Sequence, residues 1–141
     1  MAALRVLVTG GRDYADTARV ESALRSVIES LLGPDPETSQ VVIVHGDAPG
    51  LDRLAGAVAT RLGLAVEAHP ADWASPCRPT CPPHRRRRHD GTDYCPAAGV
   101  YRNAEMVEGG ADIAVAFPGG HGTADCVRRI QSAAIALVEV V

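Results

Sequence analysis

The chain has 141 residues, of which 46% are hydrophobic and 22% charged, as expected for a soluble globular protein with a core of its own. Its net charge of -3 argues against bulk electrostatic binding to nucleic acid, and no apolar run is long enough to span a bilayer. The N-terminus begins directly with a strand-like run and shows no cleavable signal pattern, so we expect a cytoplasmic protein with no membrane partner.

Lysine is absent, and all fourteen basic residues other than histidine are arginine. A GC-rich genome would produce the same composition without a functional reason. The absence nevertheless excludes Schiff-base chemistry on a lysine and the lysine of a standard P-loop. A bound phosphate would therefore be held by backbone N–H groups, hydroxyls and arginine.

The first half of the chain shows strands alternating with helices. In chain order the predicted elements are strand 4–9, helix 16–32, polar turn 33–39, strand 41–46, helix 50–62 and strand 64–69. The second strand is apolar throughout, as expected for a strand that is buried on both faces of a sheet.

The pattern breaks over residues 70–98, which hold six of the ten prolines, three of the four cysteines and an arginine run. Regular structure then resumes with a helix near 100–109, a strand at 112–117, a helix at 121–132 and a last strand at 135–140. Strands that alternate with helices predict a parallel sheet covered on both faces. Right-handed crossovers then restrict the α/β fold to a Rossmann-like, doubly wound sheet of five strands in one domain, 1–141.

Glycine-bearing loops follow three of the strands: TGGRDY after the first, HGDAPGLD after the second and PGGHGT after the fourth. The carboxyl ends of parallel strands meet at one rim of the sheet, where ligands bind in this topology. Glycine lets backbone N–H groups approach an anion, and a following helix adds its partial positive charge. Any one loop is also explained as a tight turn, but three together favour a nucleotide-type anion site. The predicted backbone contacts are Gly10, Gly11, Gly46, Gly50, Gly119, Gly120, Gly122 and Thr123.

Three polar side chains in these loops are candidate ligand contacts, each with an alternative. Arg12 is the predicted mobile phosphate clamp, and the alternative is an ordinary surface arginine. Asp52 either caps the second helix or binds a ribose hydroxyl. His45 either hydrogen-bonds the ligand or is a buried, satisfied histidine at a strand end.

Three further residues are expected near the same rim. Trp73, the only tryptophan, follows the third strand and would stack on a base or, as we favour, pack against the sheet edge. Arg102 and Asn103 open the helix before the fourth strand, so both should project toward the ligand.

Together the loops resemble the SLOG superfamily, which includes the Lonely-Guy phosphoribohydrolases and the DNA-processing DprA/Smf proteins. The most specific stretches are PGGHGT and RNAEM, supported by TGGRDY and HGDAPGLDRLA. The nearest subgroup looks like the YspA-like SLOG proteins, which are small stand-alone domains of bacteria and phages. The resemblance covers nearly all of the chain except 74–96. It implies a Rossmann-like fold with strand order 3-2-1-4-5, a site for a nucleotide or nucleotide-derived ligand, and commonly a homodimer.

The phosphoribohydrolases that this resemblance includes share the motif PGGxGTxxE. The motif ends in a glutamate that acts in catalysis with an arginine of the preceding helix. Arg102 can take the arginine's role, but Cys126 stands where the glutamate should be and the acid lies one residue earlier, at Asp125. A shift of one residue turns a helical side chain by about 100°, so Asp125 cannot be assumed to reach the position of the family glutamate. A free thiol titrates near a pKa of about 8.5, so Cys126 is not a useful acid. Arg102 and Asp125 are the catalytic pair that the resemblance leaves, with the carboxylate shifted by one residue from the family position. The other carboxylates that would substitute are Glu105, Asp47 and Asp52.

The segment 74–96 contains the stretch CRPTCPPHRRRRHDGTDYC. A cytoplasmic chain seldom keeps structural disulfides, and Cys and His ligands at these spacings suit tetrahedral zinc. A Pro-rich loop with little apolar content also needs a cross-link to become ordered. We predict a closed, structural zinc site, with His89 as the alternative fourth ligand and free thiols or a disulfide as the alternative to a metal. The predicted ligands are Cys77, Cys81, His84 and Cys95.

The arginine run Arg85–Arg88 either forms a solvated basic loop or overhangs the strand-end rim and recruits an anionic ligand. Nucleic acid is the less favoured partner, because aromatic residues are few and the overall charge is acidic.

The resulting hypothesis is a module that senses or sequesters a nucleotide-derived ligand, since the phosphate cradle is complete and the catalytic pair is not. The alternative is an enzyme that cleaves the N-glycosidic bond of a nucleoside monophosphate, with Asp125 or Glu105 supplying the carboxylate. A DNA-processing accessory is the third.

Overall fold

The computed structural model describes residues 3–81 and 84–141. Its strands are β1 (Leu4–Thr9), β2 (Val41–His45), β3 (Ala65–Ala68), β4 (Arg86–Arg87), β5 (Asp93–Tyr94), β6 (Ile113–Ala116) and β7 (Leu137–Glu139). Its helices are α1 (Thr17–Leu32), α2 (Leu51–Arg61), α3 (Ala98–Glu108) and α4 (His121–Ser132), and a 3₁₀ turn covers Thr38–Gln40. Within the described residues, no helix has the length and apolar character needed to cross a membrane.

Five of the strands form one parallel sheet in the order β3-β2-β1-β6-β7. With the small β4–β5 pair set aside, this is the predicted order 3-2-1-4-5, so the Rossmann-like α/β fold is confirmed. The chain winds outward from β1 to β3 and returns to the other side of β1 at β6. The topological switch point, where ligands bind in such sheets, therefore lies at the carboxyl ends of β1 and β6.

Strand β1 builds both halves of the core because alternate side chains of a strand point to opposite faces. Val6 and Val8 are fully buried on the face that α1 and α2 cover, in one hydrophobic cluster. Leu7 is fully buried on the opposite face, among residues of α3 and α4 that include Met106 and Ile130. This two-sided burial explains why three consecutive residues of the strand, Val6, Leu7 and Val8, are all apolar.

The structure adds a feature that the sequence interpretation did not contain, the antiparallel β4–β5 hairpin inside the Cys-rich segment. Gly91 at its tip has φ +89°, and Asp90 accepts a hydrogen bond from the N–H of Thr92 at 2.9 Å. The Asp-Gly pair is a known hairpin signal, but each strand has only two residues and no apolar alternation marks them. The other elements match their predictions apart from small shifts at their ends.

Candidate functional site

The carboxyl ends of β1 and β6 open into a cleft of about 940 Å³. Its walls come from the β1–α1 and β6–α4 loops, the first turns of α3 and α4, and the segment after β3. Most of the predicted ligand contacts lie together in its lining: Gly10, Gly11, Arg12, Asp52, Arg102, Asn103, Gly119, Gly120, Gly122 and Thr123. Three predicted contacts of the β2–α2 loop, His45, Gly46 and Gly50, lie outside this lining.

Two glycines let the loops of the cleft pack backbone against backbone. The N–H of Gly11 donates to the carbonyl oxygen of Pro118 at 2.9 Å. A Cβ atom on Gly11 would lie 3.0 Å from the Cα of Gly119, and one on Gly119 would lie 2.7 Å from the nitrogen of Gly11. Larger residues would push the two loops apart, so glycine is required for their contact.

Gly120 and Gly122 have a different role, because a Cβ atom on either would meet nothing within 4 Å. Gly120 is the N-cap of α4, and no side chain caps this helix end. The first N–H groups of α4 therefore have no intrahelical partner and face the open cleft. An accessible helix N-terminus of this kind is a binding site for a phosphate or another anion.

The β2–α2 loop and the start of α2 support the cleft by packing against the backbone of the β1–α1 loop. Gly50 has φ +84°, and a Cβ atom there would collide with the carbonyl oxygen of Arg12. The N–H of Leu51 donates to the carbonyl oxygen of Gly11 at 3.0 Å. These contacts fix the backbone from which the Arg12 side chain extends.

Asp52 connects this supporting loop to the cleft. Its Oδ2 accepts hydrogen bonds from the backbone N–H groups of Gly46 at 3.2 Å and Ala48 at 3.3 Å. The residue is 6% exposed, and burial raises the pKa of its carboxyl, opposed by the Ala48 hydrogen bond and the positive charge of Arg102. The N-cap of α2 is Gly50, so Asp52 braces the loop instead of capping the helix.

His45 is a buried histidine with a structural contact. Its Nδ1 accepts a hydrogen bond from the N–H of Asp47 at 2.9 Å, which places the proton of the neutral ring on Nε2. The ring lies beneath α2, where a Cβ atom on Gly56 would be 2.8 Å from Nε2. Burial lowers the pKa of this imidazole. Of its two interpretations, the structure favours the buried, satisfied histidine.

Arg102 and Asn103 begin a chain of hydrogen bonds across the floor of the cleft. Arg102 donates from Nη1 to the carbonyl oxygen of Gly46 and from Nε to Oδ1 of Asn103 at 2.9 Å. Asn103 is 4% exposed and donates from Nδ2 to Gly122 O at 3.2 Å and to Asp125 Oδ2 at 3.0 Å. This chain ties α3 to the first turn of α4, and within the described residues Nη2 of Arg102 has no hydrogen-bond partner.

Asp125 is held by positive charge from its own helix. Arg129 donates from Nε to its Oδ2 at 3.0 Å, and Arg128 lies 3.6 Å from its Oδ1. Together with the Asn103 bond, these contacts engage both carboxylate oxygens. The predicted catalytic carboxylate of Asp125 is therefore already engaged in joining α3 to α4.

Cys126 is fully buried in the second half of the core, beside Leu7 and Ile130. Burial raises the pKa of its thiol to about 11, so it stays neutral at pH 7. Glu105, another candidate acid, has a 69% exposed side chain and lies 3.3 Å from His69, outside the cleft lining. The position of the phosphoribohydrolase glutamate thus carries no acid here.

Trp73 lines the wall of the cleft and belongs to neither core cluster. Its ring approaches α3 at Gly99, where a Cβ atom would lie 3.1 Å from Cη2, and meets Tyr94 edge-on at 6.1 Å. The favoured interpretation, packing in the core against the sheet edge, does not match this position. A half-buried indole in the wall is available to stack on a ring.

Four side chains of the Cys-rich segment form a candidate metal centre. The ligand atoms of Cys77, Cys81, His84 and Cys95 all lie within 4.8 Å of one another. The sulfurs of Cys81 and Cys95 are 4.0 Å apart, and His84 Nε2 is 3.6 Å from the Cys95 sulfur. A tetrahedral ion with metal–sulfur bonds of about 2.3 Å spaces its ligands by roughly 3.8 Å, whereas disulfide sulfurs lie about 2 Å apart. The donors fit a tetrahedral ion, and His84 is in the group while His89 is not.

This cluster anchors the segment to the rest of the protein. The N–H of Cys95 donates to the carbonyl oxygen of Trp73 at 3.0 Å. The hydroxyl of Tyr101, next to Arg102 in α3, contacts the sulfur of Cys81. The Cys-rich segment therefore joins the wall of the cleft to α3, the helix that carries Arg102.

Comparison with known proteins places this architecture in a family. The sequence profile of the YspA, cpYpsA-related SLOG family matches residues 4–75. The Gene 61 protein of Mycobacterium phage D29 is 33% identical over an alignment 141 positions long, which covers 95% of this chain and 94% of that protein.

Two solved structures share the fold at low sequence identity. The Moco carrier protein from Chlamydomonas reinhardtii matches with a TM-score of 0.57 at 16% identity, over 98% of this chain and 76% of its own. DNA processing protein A (DprA) from Streptococcus pneumoniae matches with a TM-score of 0.50 at 19% identity, over 96% of this chain and 58% of its own. The two structural matches show the fold alone, whereas the two sequence matches also show the family. The chain belongs to the YspA, cpYpsA-related SLOG family.

Proposed function

We propose that the protein binds a nucleotide or a nucleotide-derived ligand in the cleft and acts as a sensor or a sequestering module. The observation that carries this proposal is the uncapped N-terminus of α4, which faces the cleft behind Gly120 and Gly122. Membership of the SLOG family supports a ligand-binding module in general.

The charged groups around this helix end suit a phosphate. Arg12 is exposed at the mouth of the cleft, and Arg102 lies at its floor, where its hydrogen bonds to the described part of the chain use Nε and Nη1 and not Nη2. Arginine holds phosphate through a planar fork of donors, which replaces the lysine that this chain lacks. The negative charge of Asp125 is offset by Arg128 and Arg129. The phosphate would therefore meet N–H groups and guanidinium groups together.

Isothermal titration calorimetry of metal-replete protein tests the proposal directly. The panel consists of the four ribonucleoside monophosphates and the corresponding diphosphates. We expect at least one member to bind at a single site, with an affinity that falls as salt rises because the contacts are ionic. A chain that is folded and metal-replete yet binds none of them would overturn the proposal.

Zinc is the ion that we propose for the Cys77, Cys81, His84 and Cys95 cluster. Three thiolates and one imidazole form a typical structural zinc set, and four protein ligands leave no open coordination position. The expected role is to order a segment that has little apolar core of its own. Elemental analysis by mass spectrometry should find one zinc per chain, and replacing Cys81 with Ser should remove it. A purified protein with no bound transition metal that takes up none on dialysis would contradict this assignment.

A second candidate function, cleavage of an N-glycosidic bond, is favoured by one observation. The carboxyl of Asp52 lies in the cleft lining, is nearly fully buried and has a raised pKa, which suits a group that donates a proton to a leaving base. Incubation with AMP, followed by chromatography for free adenine, tests it, with Asp52→Asn as the control that removes the acid. Absence of adenine above the Asp52→Asn background would exclude hydrolysis of this substrate.

A further inference from the structure

A second cavity, of about 460 Å³, adjoins the cleft on the side of the Cys-rich segment. We call it the annex; its lining is Arg12, Trp73, Arg86, Arg88, Tyr94 and Pro96. Arg12, Trp73 and Pro96 also line the cleft, so the two spaces lie side by side and share part of their wall. A ligand that fills the cleft can therefore extend past Arg12 into the annex.

The β4–β5 hairpin sorts the arginine run onto two faces. Arg86 pairs with Tyr94 and Arg87 with Asp93, and side chains alternate along a strand. Arg86, Arg88 and Tyr94 consequently share the face that lines the annex. A run of four identical residues thus contributes two arginines to one surface.

The opposite face of the hairpin is used for anchoring. Arg85 donates from Nε to Asp93 Oδ1 at 3.2 Å and from Nη1 to the carbonyl oxygen of Ser75 at 2.8 Å. These bonds fix the hairpin against the preceding loop. Arg85 is therefore committed to protein structure, in contrast to the two arginines of the annex.

The annex combines unpaired positive charge with aromatic rings. Within residues 3–81 and 84–141, no carboxylate oxygen lies within 4 Å of Arg12, Arg86 or Arg88. The Arg88 guanidinium lies 4.6 Å from the centre of the Tyr94 ring, which in turn meets Trp73 edge-on. Guanidinium groups recognise phosphate, and guanidinium and aromatic planes both stack on a nucleobase. The annex therefore offers contacts for both the phosphate and the base of a nucleotide.

We propose that the annex is a second nucleotide subsite, so that the ligand of this protein is a small dinucleotide with two phosphate-bearing nucleosides. This proposal rests on the proposed function: one phosphate binds at the N-terminus of α4, and Arg12 lies between the two subsites. The annex binds the second phosphate through Arg86 and Arg88 and the second base against Trp73 and Tyr94.

The cluster of Cys and His residues holds the annex in place. Cys95 follows Tyr94 directly, and its N–H bonds to the carbonyl oxygen of Trp73 at 3.0 Å. The two aromatic residues of the annex are thus attached to one of the four candidate metal ligands. Removing the proposed zinc should loosen the annex more than the glycine-lined cleft.

The test compares AMP with diadenosine diphosphate in calorimetric titrations and follows the fluorescence of Trp73, the only tryptophan of the chain. We expect the dinucleotide to bind at least tenfold more tightly than AMP and to quench Trp73 fluorescence by stacking. The double variant Arg86→Ala/Arg88→Ala should remove this tenfold advantage. The matched control Arg87→Ala, on the other face of the same hairpin, should retain it.

The outcomes separate this proposal from the proposed function. If AMP binds and the dinucleotide binds no more tightly, the annex proposal is wrong while nucleotide binding stands. If neither binds, and no other member of the monophosphate and diphosphate panel binds, the proposed function itself fails. Equal losses in the Arg87→Ala and Arg86→Ala/Arg88→Ala variants would also overturn the annex, because its face would then be irrelevant. A twelve-nucleotide single strand that binds more tightly than the dinucleotide would replace it with a nucleic-acid surface.

Discussion

Replacing Gly120 with Asp is a sharp perturbation of the α4 N-terminus, because it adds a charge without a steric conflict. A side chain at this position meets open space, and the backbone φ of -100° lies outside the left-handed region that favours glycine. Aspartate is also a favourable N-cap, so the helix should gain a few tenths of a kcal/mol over glycine. The variant should therefore fold at least as well as the native chain.

Its effect on ligand binding should be large. A carboxylate about 5 Å from a bound phosphate repels it by about 3 kcal/mol per pair of unit charges at an effective dielectric constant of about 20. That energy corresponds to a loss of more than 100-fold in affinity. The Asp side chain also accepts the N–H groups that the phosphate would use, which adds to the loss.

Two neutral substitutions at the same residue separate these causes. Gly120→Asn caps the helix without charge and should lose about tenfold in affinity, since it competes only for the N–H groups. Gly120→Ala leaves those groups open and should stay close to the native affinity. Calorimetry with the tightest-binding nucleotide, alongside circular dichroism to confirm folding, provides the measurement. If the folded Asp variant binds as tightly as the Ala variant, no phosphate occupies this end of α4.

Three further predictions concern metal, pH and the core. Chelating the proposed zinc should lower the midpoint of thermal unfolding and shift Trp73 fluorescence, whereas the same chelator presaturated with zinc should do neither. The Arg5 hydrogen bond, followed by that of His69, lowers the pKa of Glu67 to about 2, so this pair stabilises the fold above a pH of about 4.5 and loses that effect as pH falls toward 2. Urea unfolding of Glu67→Gln should show a smaller loss of stability between neutral and acid pH than the native chain; an unchanged loss would refute the pairing. Cys126→Glu should lower the free energy of unfolding by about 3 kcal/mol because it buries an unpaired carboxyl, and native-like stability would contradict the buried position of this side chain.

The sheet could be predicted from the sequence because its signals are local. The run Leu4–Thr9 is rich in apolar and β-branched residues, and the handedness of parallel crossovers then leaves few topologies. The PGGHGT stretch can likewise be recognised locally, because a strand followed by glycines and then a helix commonly forms an anion-binding loop. Local patterns of this kind do not depend on how the rest of the chain packs.

The arrangement of the polar side chains could not be predicted, because it depends on how the elements are rotated against each other. Asp125 and Arg102 are 23 positions apart in sequence, and only the packing of α3 on α4 shows that Asn103 joins them. The sequence allows His45 to be either a ligand contact or a buried histidine, and only the position of its ring beneath α2 favours the second. Each of these outcomes is set by tertiary contacts and leaves no mark in the spacing of residues.

The arginine run illustrates the same limit at short range. Its four members are identical in sequence, and the register of a two-residue hairpin decides that Arg86 and Arg88 face the annex while Arg85 binds Asp93. The Asp-Gly signal predicts a turn but does not fix this register. The annex therefore became visible only with the structure.

The most direct test of the central claim is an amide NMR titration of the metal-replete protein with AMP, followed in the glycine region of the spectrum. The claim that a phosphate binds the N–H groups at the start of α4 predicts that the signals of Gly120 and Gly122 shift on binding. Gly33 and Gly63 precede β2 and β3 at the opposite rim of the sheet, so their signals should stay in place. Signals of Gly120 and Gly122 that remain unmoved at saturating AMP would contradict the account.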